Sequence, residues 1–211
     1  MVKTEFNKIW SSYFNKEKAE LTYNGKTAIS FAGTGVRLSA TRFLTSQGNT
    51  YFAVYDVTNS LYPTQAGIIF RQGKNFRLSM SILNAGDGHK IRTQARDGGE
   101  DQARADTSSS FDGQTILQTS IVSATRDANG LKTFVNSANE ATADTTDVQD
   151  VDFSTVSDGS NPNDNAFYIG SINTGIYDFL GNLGEVILFN TDKTSDKTDI
   201  ENEINNHYSI Y

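Results

Sequence analysis

The sequence contains no cysteine, which excludes disulfide bonds and thiolate metal sites. Proline occurs only twice and glycine 17 times, a balance that favours a turn-rich β protein over a helical one. No apolar run approaches the roughly 18 residues of a membrane span, so we expect no membrane insertion. The first residues lack the apolar stretch of a signal peptide. We therefore expect a leader that has been removed, or another route to the outside such as a virus particle.

Charge is spread unevenly along the 211 residues, whose formal net charge is −7. Residues 1–96 carry 13 Lys/Arg against 5 Asp/Glu, and residues 97–211 carry 5 against 20, so the two net charges of +8 and −15 sum to −7. An acidic total argues against a nucleic-acid partner, which requires a basic footprint. Because the two halves of a sandwich interleave, this asymmetry along the chain need not become a surface dipole.

Short segments with period-two alternation or continuous apolar character predict an antiparallel β-sandwich in a single domain. About ten strands are expected, at 27–32, 36–40, 50–57, 66–72, 76–83, 89–96, 115–126, 131–137, 167–172 and 183–190. The last of these is apolar on both faces, which is typical of a central strand covered on both sides. The turn Asp127-Ala128-Asn129-Gly130 indicates a hairpin.

The two ends of the chain differ from this pattern. Residues 1–23 are expected to form an N-terminal arm or short helix, and residues 24–211 the sandwich domain. At the C-terminus, Ile200, Ile204 and Tyr208 recur at helical spacing, and Ser195 is the expected N-cap of that helix. Residues 138–165 are rich in Asp, Asn, Ser and Thr, so they are expected to form a long loop.

The C-terminal sequence resembles the closing signature of laminin-G-like, concanavalin A-like jelly-roll domains. The resemblance is carried by Ile169-Gly170, Phe179 with Gly181, Gly184-Glu185, and Ile200-Glu201-Asn202 with Tyr208. The opening NGKTAISFAGTGVRLSA and the pair SATRDANGLKTFVNS are also similar to this family, although Phe134 replaces its usual Tyr and Ser137 its usual Gly. The resemblance implies a jelly-roll fold, and it implies function only loosely because such sandwiches include lectins, glycanases and structural modules.

Ligand candidates lie in the loops, where polar and aromatic side chains come together. Sugars are held by amide and carboxylate hydrogen bonds beside an aromatic face. The candidate ligand residues are Tyr62, Asn173, Tyr177, Asp178 and Asn182. The alternative is that these are ordinary polar loop ends.

Calcium prefers oxygen ligands, and one Asp/Asn-rich loop offers a set of them. The candidate Ca²⁺ ligands are Asp158, Asn161, Asn163 and Asp164. Related domains often hold Ca²⁺ at a sandwich edge. The alternative is a solvated acidic loop.

A third feature is the series Lys90, Arg92 and Arg96, which alternate along one predicted strand and so project from one face. This stripe is interpreted mainly as a solvated sheet edge whose charges discourage aggregation. A contact with an anionic glycan or a protein is the alternative.

Glycan hydrolysis requires two carboxylates about 5–10 Å apart, and the related glucanases carry them in an acid-x-acid-x-x-acid strand. No such strand occurs here, and Glu185 is the one acid in a strongly predicted strand. The expected function is therefore binding without catalysis: glycan recognition and adhesion, in a bacteriophage tail fibre or another virion or cell-surface protein, located on the virion or outside the cell. The alternative is a capsid decoration or assembly module that contacts other virion proteins or forms a homo-oligomer, and a secreted glycanase ranks third.

Overall fold

A computed structural model of the protein describes residues 20–23, 26–31, 37–41, 49–57, 67–73, 78–84, 89–96, 102–107, 117–127, 130–143, 166–171 and 177–210. These residues form two antiparallel sheets and one C-terminal helix, which confirms the predicted all-β sandwich of jelly-roll type. The candidate residues Tyr62, Asn173, Asp158, Asn161, Asn163 and Asp164, the residues before 20 and those at 144–165 lie outside the described part of the chain.

One sheet has seven strands and the other has six. The seven-stranded sheet contains, in spatial order, β1 (Glu20–Tyr23), β2 (Lys26–Phe31), β13 (Gly181–Phe189), β4 (Asn49–Val57), β9 (Leu117–Asp127), β10 (Gly130–Val135) and β11 (Ala138–Ala143). The six-stranded sheet contains β3 (Leu38–Thr41), β12 (Ala166–Ile169), β5 (Gly67–Gln72), β6 (Leu78–Asn84), β7 (His89–Arg96) and β8 (Gln102–Asp106).

The main core lies between the two sheets and follows from the alternation along each strand. On β4, Tyr51, Ala53 and Tyr55 all point into this core and are at most 1% exposed. Side chains of the facing sheet pack against them. For example, the ring centroids of Tyr51 and of Phe70 on β5 lie 5.1 Å apart in an edge-to-face contact. Burial of these rings removes a large apolar area from water, which is the main force holding the sheets together.

A second, smaller core covers the opposite face of β4. Phe52 and Val54 point outward from the sandwich and pack against Ile204 and Tyr208 of the helix α1 (Lys197–Tyr208). Tyr208 donates a hydrogen bond of 3.0 Å to the carbonyl oxygen of Gly184 on β13. A Cβ at Gly184 would lie 3.1 Å from the Tyr208 ring, so a larger residue there would make the ring shift by a few tenths of an ångström. As predicted, β13 is therefore a central strand covered on both sides.

A buried ion pair within α1 is hydrogen-bonded to the turn between β10 and β11. Lys197 Nζ lies 2.6 Å from Glu201 Oε2, and the Ser137 hydroxyl donates to the same oxygen at 2.8 Å. Ser137 has a φ of 69°, a left-handed conformation that favours glycine. Its bond to Glu201 gives a physical reason for the hydroxyl at this position, where the resembling family usually carries glycine. Lys197 Nζ also lies 4.0 Å from the Phe134 ring centroid, a cation–π contact.

The structure corrects three predictions about elements and confirms one. The strands β1, β8 and β11 were not predicted, because ELTY, QARAD and ANEATA are short and contain few large apolar residues. Since β8 pairs with the outer side of β7, the stripe of Lys90, Arg92 and Arg96 does not lie on a sheet edge, and the edge interpretation was wrong. Ser195 is not the helix N-cap, because it lies in the 3₁₀ turn Thr194–Asp196. The predicted hairpin was confirmed, since Asp127 and Gly130 are register partners.

The ion pair at α1 generates a stability prediction. Replacing Glu201 with Leu leaves the Lys197 ammonium buried without its carboxylate, so we expect a loss of about 3–5 kcal/mol. The double variant Lys197→Met with Glu201→Leu should lose much less than the sum of the single variants, because it leaves no buried charge. Urea unfolding of the native protein, the two single variants and the double variant measures this coupling. Purely additive losses of stability would contradict it.

Tyr208 generates a prediction about alkaline pH. Burial raises the pKa of its phenol, and the nearby charge of Glu185 raises it further. A phenol of raised pKa contributes stability that is complete below its ordinary pKa of about 10 and is lost above it, because the unfolded chain then releases the proton first. Between about pH 9 and pH 11, the urea midpoint of the native protein should therefore fall more than that of Tyr208→Phe. If the urea midpoints of the two proteins fall with the same slope against pH, Tyr208 does not contribute to the pH dependence of stability.

Candidate functional site

Phe179 anchors the segment that carries the predicted ligand residues. Its ring is 1% exposed and meets Phe31 at 5.6 Å and Tyr55 at 6.3 Å, both in the seven-stranded sheet. Its backbone N–H donates to the carbonyl oxygen of Gly170, which directly follows β12 of the six-stranded sheet, at 2.6 Å. The residues around 170 and 179 therefore meet at one end of the sandwich, where the chain passes from one sheet to the other. We call this region the loop end, comprising Gly170, Ser171 and Tyr177–Phe179.

Tyr177 occupies a strained position in the loop end. Its φ is 64°, in the left-handed region that large side chains rarely adopt. Its carbonyl oxygen accepts a hydrogen bond of 3.1 Å from Ile68 N–H of β5, so the six-stranded sheet holds the backbone in place. A strained, half-buried aromatic residue costs of the order of 1–3 kcal/mol, and such strain is concentrated at functional sites.

Two buried oxygen atoms in the loop end have no hydrogen-bond partner. They are Oγ of Ser171, a residue that is fully buried, and Oδ1 of Asp178, a residue that is half-buried overall. Each such atom costs about 1–3 kcal/mol, and an unsatisfied group in a native protein indicates strain, function or an additional small molecule. The carboxylate accepts hydrogen bonds, and the hydroxyl both donates and accepts. The pair suits a ligand that is rich in hydroxyl groups.

Asn182 lies in a strand, unlike the other described candidates Tyr177 and Asp178, which precede that strand. It is on β13 of the seven-stranded sheet, with Ser30 and Asp56 as its register partners. Tyr177 and Asp178 instead lie where the chain contacts β5 and the end of β12. The structure therefore brings Tyr177 and Asp178 together with Ser171, which the sequence-based set did not include. Its sole sequence signal was its position immediately after the Ile169-Gly170 strand end.

Acidic residues elsewhere do not form a cluster within the described ranges. No group of three or more His, Asp or Glu side chains that could hold a metal ion occurs in the described part of the chain. Glu185 is paired in register with Val54 on the helix-covered face of its sheet, and its charge acts on Tyr208. Among the residues that the structure describes, no helix is long and apolar enough to span a membrane.

Comparison with solved structures places the fold among β-sandwich domains. A heptameric SAP-like pentraxin from Limulus polyphemus superposes with a TM-score of 0.56 and 14% identity, covering 84% of this chain and 82% of the pentraxin chain. The chain has the jelly-roll β-sandwich fold of this pentraxin. No protein-family model matches the sequence, and no curated protein matches it either.

The receptor-binding domain of botulinum neurotoxin D is also similar, with a TM-score of 0.52 and 11% identity. The ligand-binding domain of the same serotype, in complex with N-acetylneuraminic acid, gives a TM-score of 0.54 and 11% identity. Each match covers 92% of this chain but only 45% and 43% of the toxin chains, so the present chain spans less than half of those domains. At these identities, the likeness establishes the fold.

The unpaired hydroxyl of Ser171 generates a prediction. Replacing Ser171 with Ala removes a buried polar group that makes no hydrogen bond, so the free energy of unfolding should rise by about 1 kcal/mol. Urea unfolding measures the change. A loss of stability of similar size would mean that Oγ has a partner, such as a bound water molecule.

Proposed function

We propose that the protein is a non-catalytic glycan-binding module that uses the loop end as part of its binding site. The observation that carries this proposal is the coincidence of three unfavourable features within one short region. These features are the left-handed backbone of Tyr177 and the unpaired oxygens of Ser171 and Asp178. Structural costs of this kind are retained where the groups serve a ligand.

The chemistry of the loop end suits a sugar. The Asp178 carboxylate accepts hydrogen bonds from hydroxyl groups, and Tyr177 adds a half-buried aromatic side chain next to it. Phe179 holds both residues on the rigid sandwich, so little conformational entropy is lost when a ligand binds. The fold supports the proposal, since the similar structures are a pentraxin and toxin domains named for binding a receptor or a ligand.

For the biological setting, we propose a virion or cell surface, with a bacteriophage tail fibre or receptor-binding module as the specific case. The absence of cysteine and the composition rich in Asn, Thr and Ser support this setting. In this setting, the module serves adhesion to a surface glycan, a role that requires binding and not catalysis. A capsid decoration or assembly role predicts instead a saturable interaction with virion proteins and none with glycans.

A substitution at the loop end that removes one charge and keeps the side-chain shape tests the proposal. Replacing Asp178 with Asn keeps the shape of the side chain but removes a charge from a half-buried position, so stability should be unchanged or rise by about 1 kcal/mol. Binding to a glycan identified on an array should weaken roughly tenfold or more, because a charge-assisted hydrogen bond is lost. Affinity is measured by titration calorimetry, and stability by thermal melting.

The matched control is Asp199→Asn, which removes the same charge from an exposed position on α1, the helix that packs on the seven-stranded sheet. It should leave glycan affinity unchanged. Equal affinity of the native protein and Asp178→Asn would show that the loop end is not the binding site. A complete absence of saturable binding across neutral and charged glycans would refute the proposed function itself.

A further inference from the structure

The carboxylate of Asp178 has no compensating partner among the residues that the structure describes. Its Oδ1 atom is buried and receives no hydrogen bond. No ion pair in the described part of the chain includes Asp178. An anionic oxygen that is withdrawn from water without a donor is unfavourable, so a donor from outside the chain would stabilise it.

The hydroxyl group on the adjacent segment does not supply this donor. Gly170 and Phe179 are joined by a backbone hydrogen bond of 2.6 Å, and Ser171 and Asp178 are their direct neighbours in the chain. Oγ of Ser171 is nevertheless without a hydrogen-bond partner, so it does not donate to Asp178. The carboxylate therefore stays unsatisfied although a hydroxyl lies on the next segment.

The nearest cation by strand register is directed elsewhere. Arg37 precedes Leu38, which is the register partner of Ile169 at the end of β12. The guanidinium carbon of Arg37 lies 5.1 Å from the centroid of the Tyr168 ring, in a cation–π contact. Neutralisation of Asp178 is therefore left to a ligand.

The backbone on both sides of Asp178 is fixed to the six-stranded sheet. The carbonyl oxygen of Tyr177 accepts a hydrogen bond of 3.1 Å from Ile68 N–H, and the N–H of Phe179 donates to Gly170 at 2.6 Å. These two bonds hold the residue between them in its half-buried position. The carboxylate is thus preorganised, and little conformational entropy is lost when a cationic group binds it.

We infer that the loop end selects a glycan that carries protonated amino groups, such as a glucosamine chain, whose ammonium group binds the Asp178 carboxylate. This inference rests on the proposed function and specifies its ligand class. An ammonium group offers three N–H donors and a positive charge, so its bond to a carboxylate is about twice as strong as a bond between neutral groups. Tyr177 adds a half-buried aromatic side chain next to the carboxylate, and aromatic rings also attract cations.

The same carboxylate disfavours an acidic glycan. Like charges that meet in a half-buried site repel each other, and the net charge of −7 on the whole chain acts in the same direction. A neutral sugar can donate to Asp178 through a hydroxyl group, but it brings no compensating charge. The expected order of affinity is therefore an aminated chain first, a neutral chain second and an acidic chain last.

The test titrates the full chain with oligosaccharides of similar length that differ in charge. The ligands are a glucosamine oligomer, its N-acetylated neutral counterpart and an alginate oligomer, and poly-L-lysine supplies ammonium groups without a sugar. Calorimetry at about pH 5.5, between the ordinary pKa values of carboxylates and amines, keeps both groups charged. EDTA is present throughout, so that no bound calcium takes the place of the amine.

Two variants with the same net charge separate the site from general attraction. Asp178→Asn removes the charge at the loop end, and Asp199→Asn removes an exposed charge from α1. A cationic chain is attracted to the acidic protein as a whole to the same extent in both variants. Thermal melting confirms that each variant is folded.

We expect the native protein to bind the glucosamine oligomer roughly tenfold more tightly than the acetylated one. Asp178→Asn should lose this preference, and Asp199→Asn should keep it to within about a factor of two. Equal losses in the two variants, preference for the alginate oligomer, or poly-L-lysine bound as tightly as the glucosamine oligomer would overturn the inference. If the acetylated oligomer binds as tightly as the aminated one and Asp178→Asn weakens both, the ligand class is wrong while the proposed function stands. If no glycan binds, the proposed function fails as well.

Discussion

The structure depends on the burial of both faces of its two adjacent central strands, β4 and β13. The inner faces of these strands meet the six-stranded sheet, and their outer faces meet α1. This double burial requires apolar residues at successive positions, which is why β4 reads Tyr-Phe-Ala-Val-Tyr without interruption. Glycine at position 184 lets the ring of Tyr208 lie close to β13.

The loop end follows directly from this constraint. β13 begins two residues after Phe179, so the strand that is most firmly held also fixes the preceding segment. Phe179 extends the anchoring between the sheets, with its ring in the core and its backbone bonded to Gly170. Burying such a ring stabilises by about 1.5–3 kcal/mol, which is less than the combined cost of a left-handed Tyr177 and two unpaired oxygens, so the rest of the core must also sustain the unfavourable arrangement at this place.

The distribution of charge is a further consequence of the topology. Strands that follow one another along the chain mostly pair within one sheet, as β5, β6, β7 and β8 do. The cations of β5 and β7 therefore fall in one sheet, although β1, β2 and β4 of the same part of the chain lie in the other.

The sequence by itself determined the sandwich, the central position of β13 and the C-terminal helix, because hydrophobic periodicity and glycine placement are local properties that follow from burial. It also pointed to Tyr177 and Asp178 as residues of interest. Only the tertiary structure decided that Ser171 joins them and that Asn182 lies in a strand of the seven-stranded sheet. It also decided that β8 pairs alongside β7, so that β7 is not an edge strand. The physical reason is that sheet membership and the neighbours of a loop are set by contacts between residues distant in sequence, and alternation along a strand does not encode which strand lies beside it.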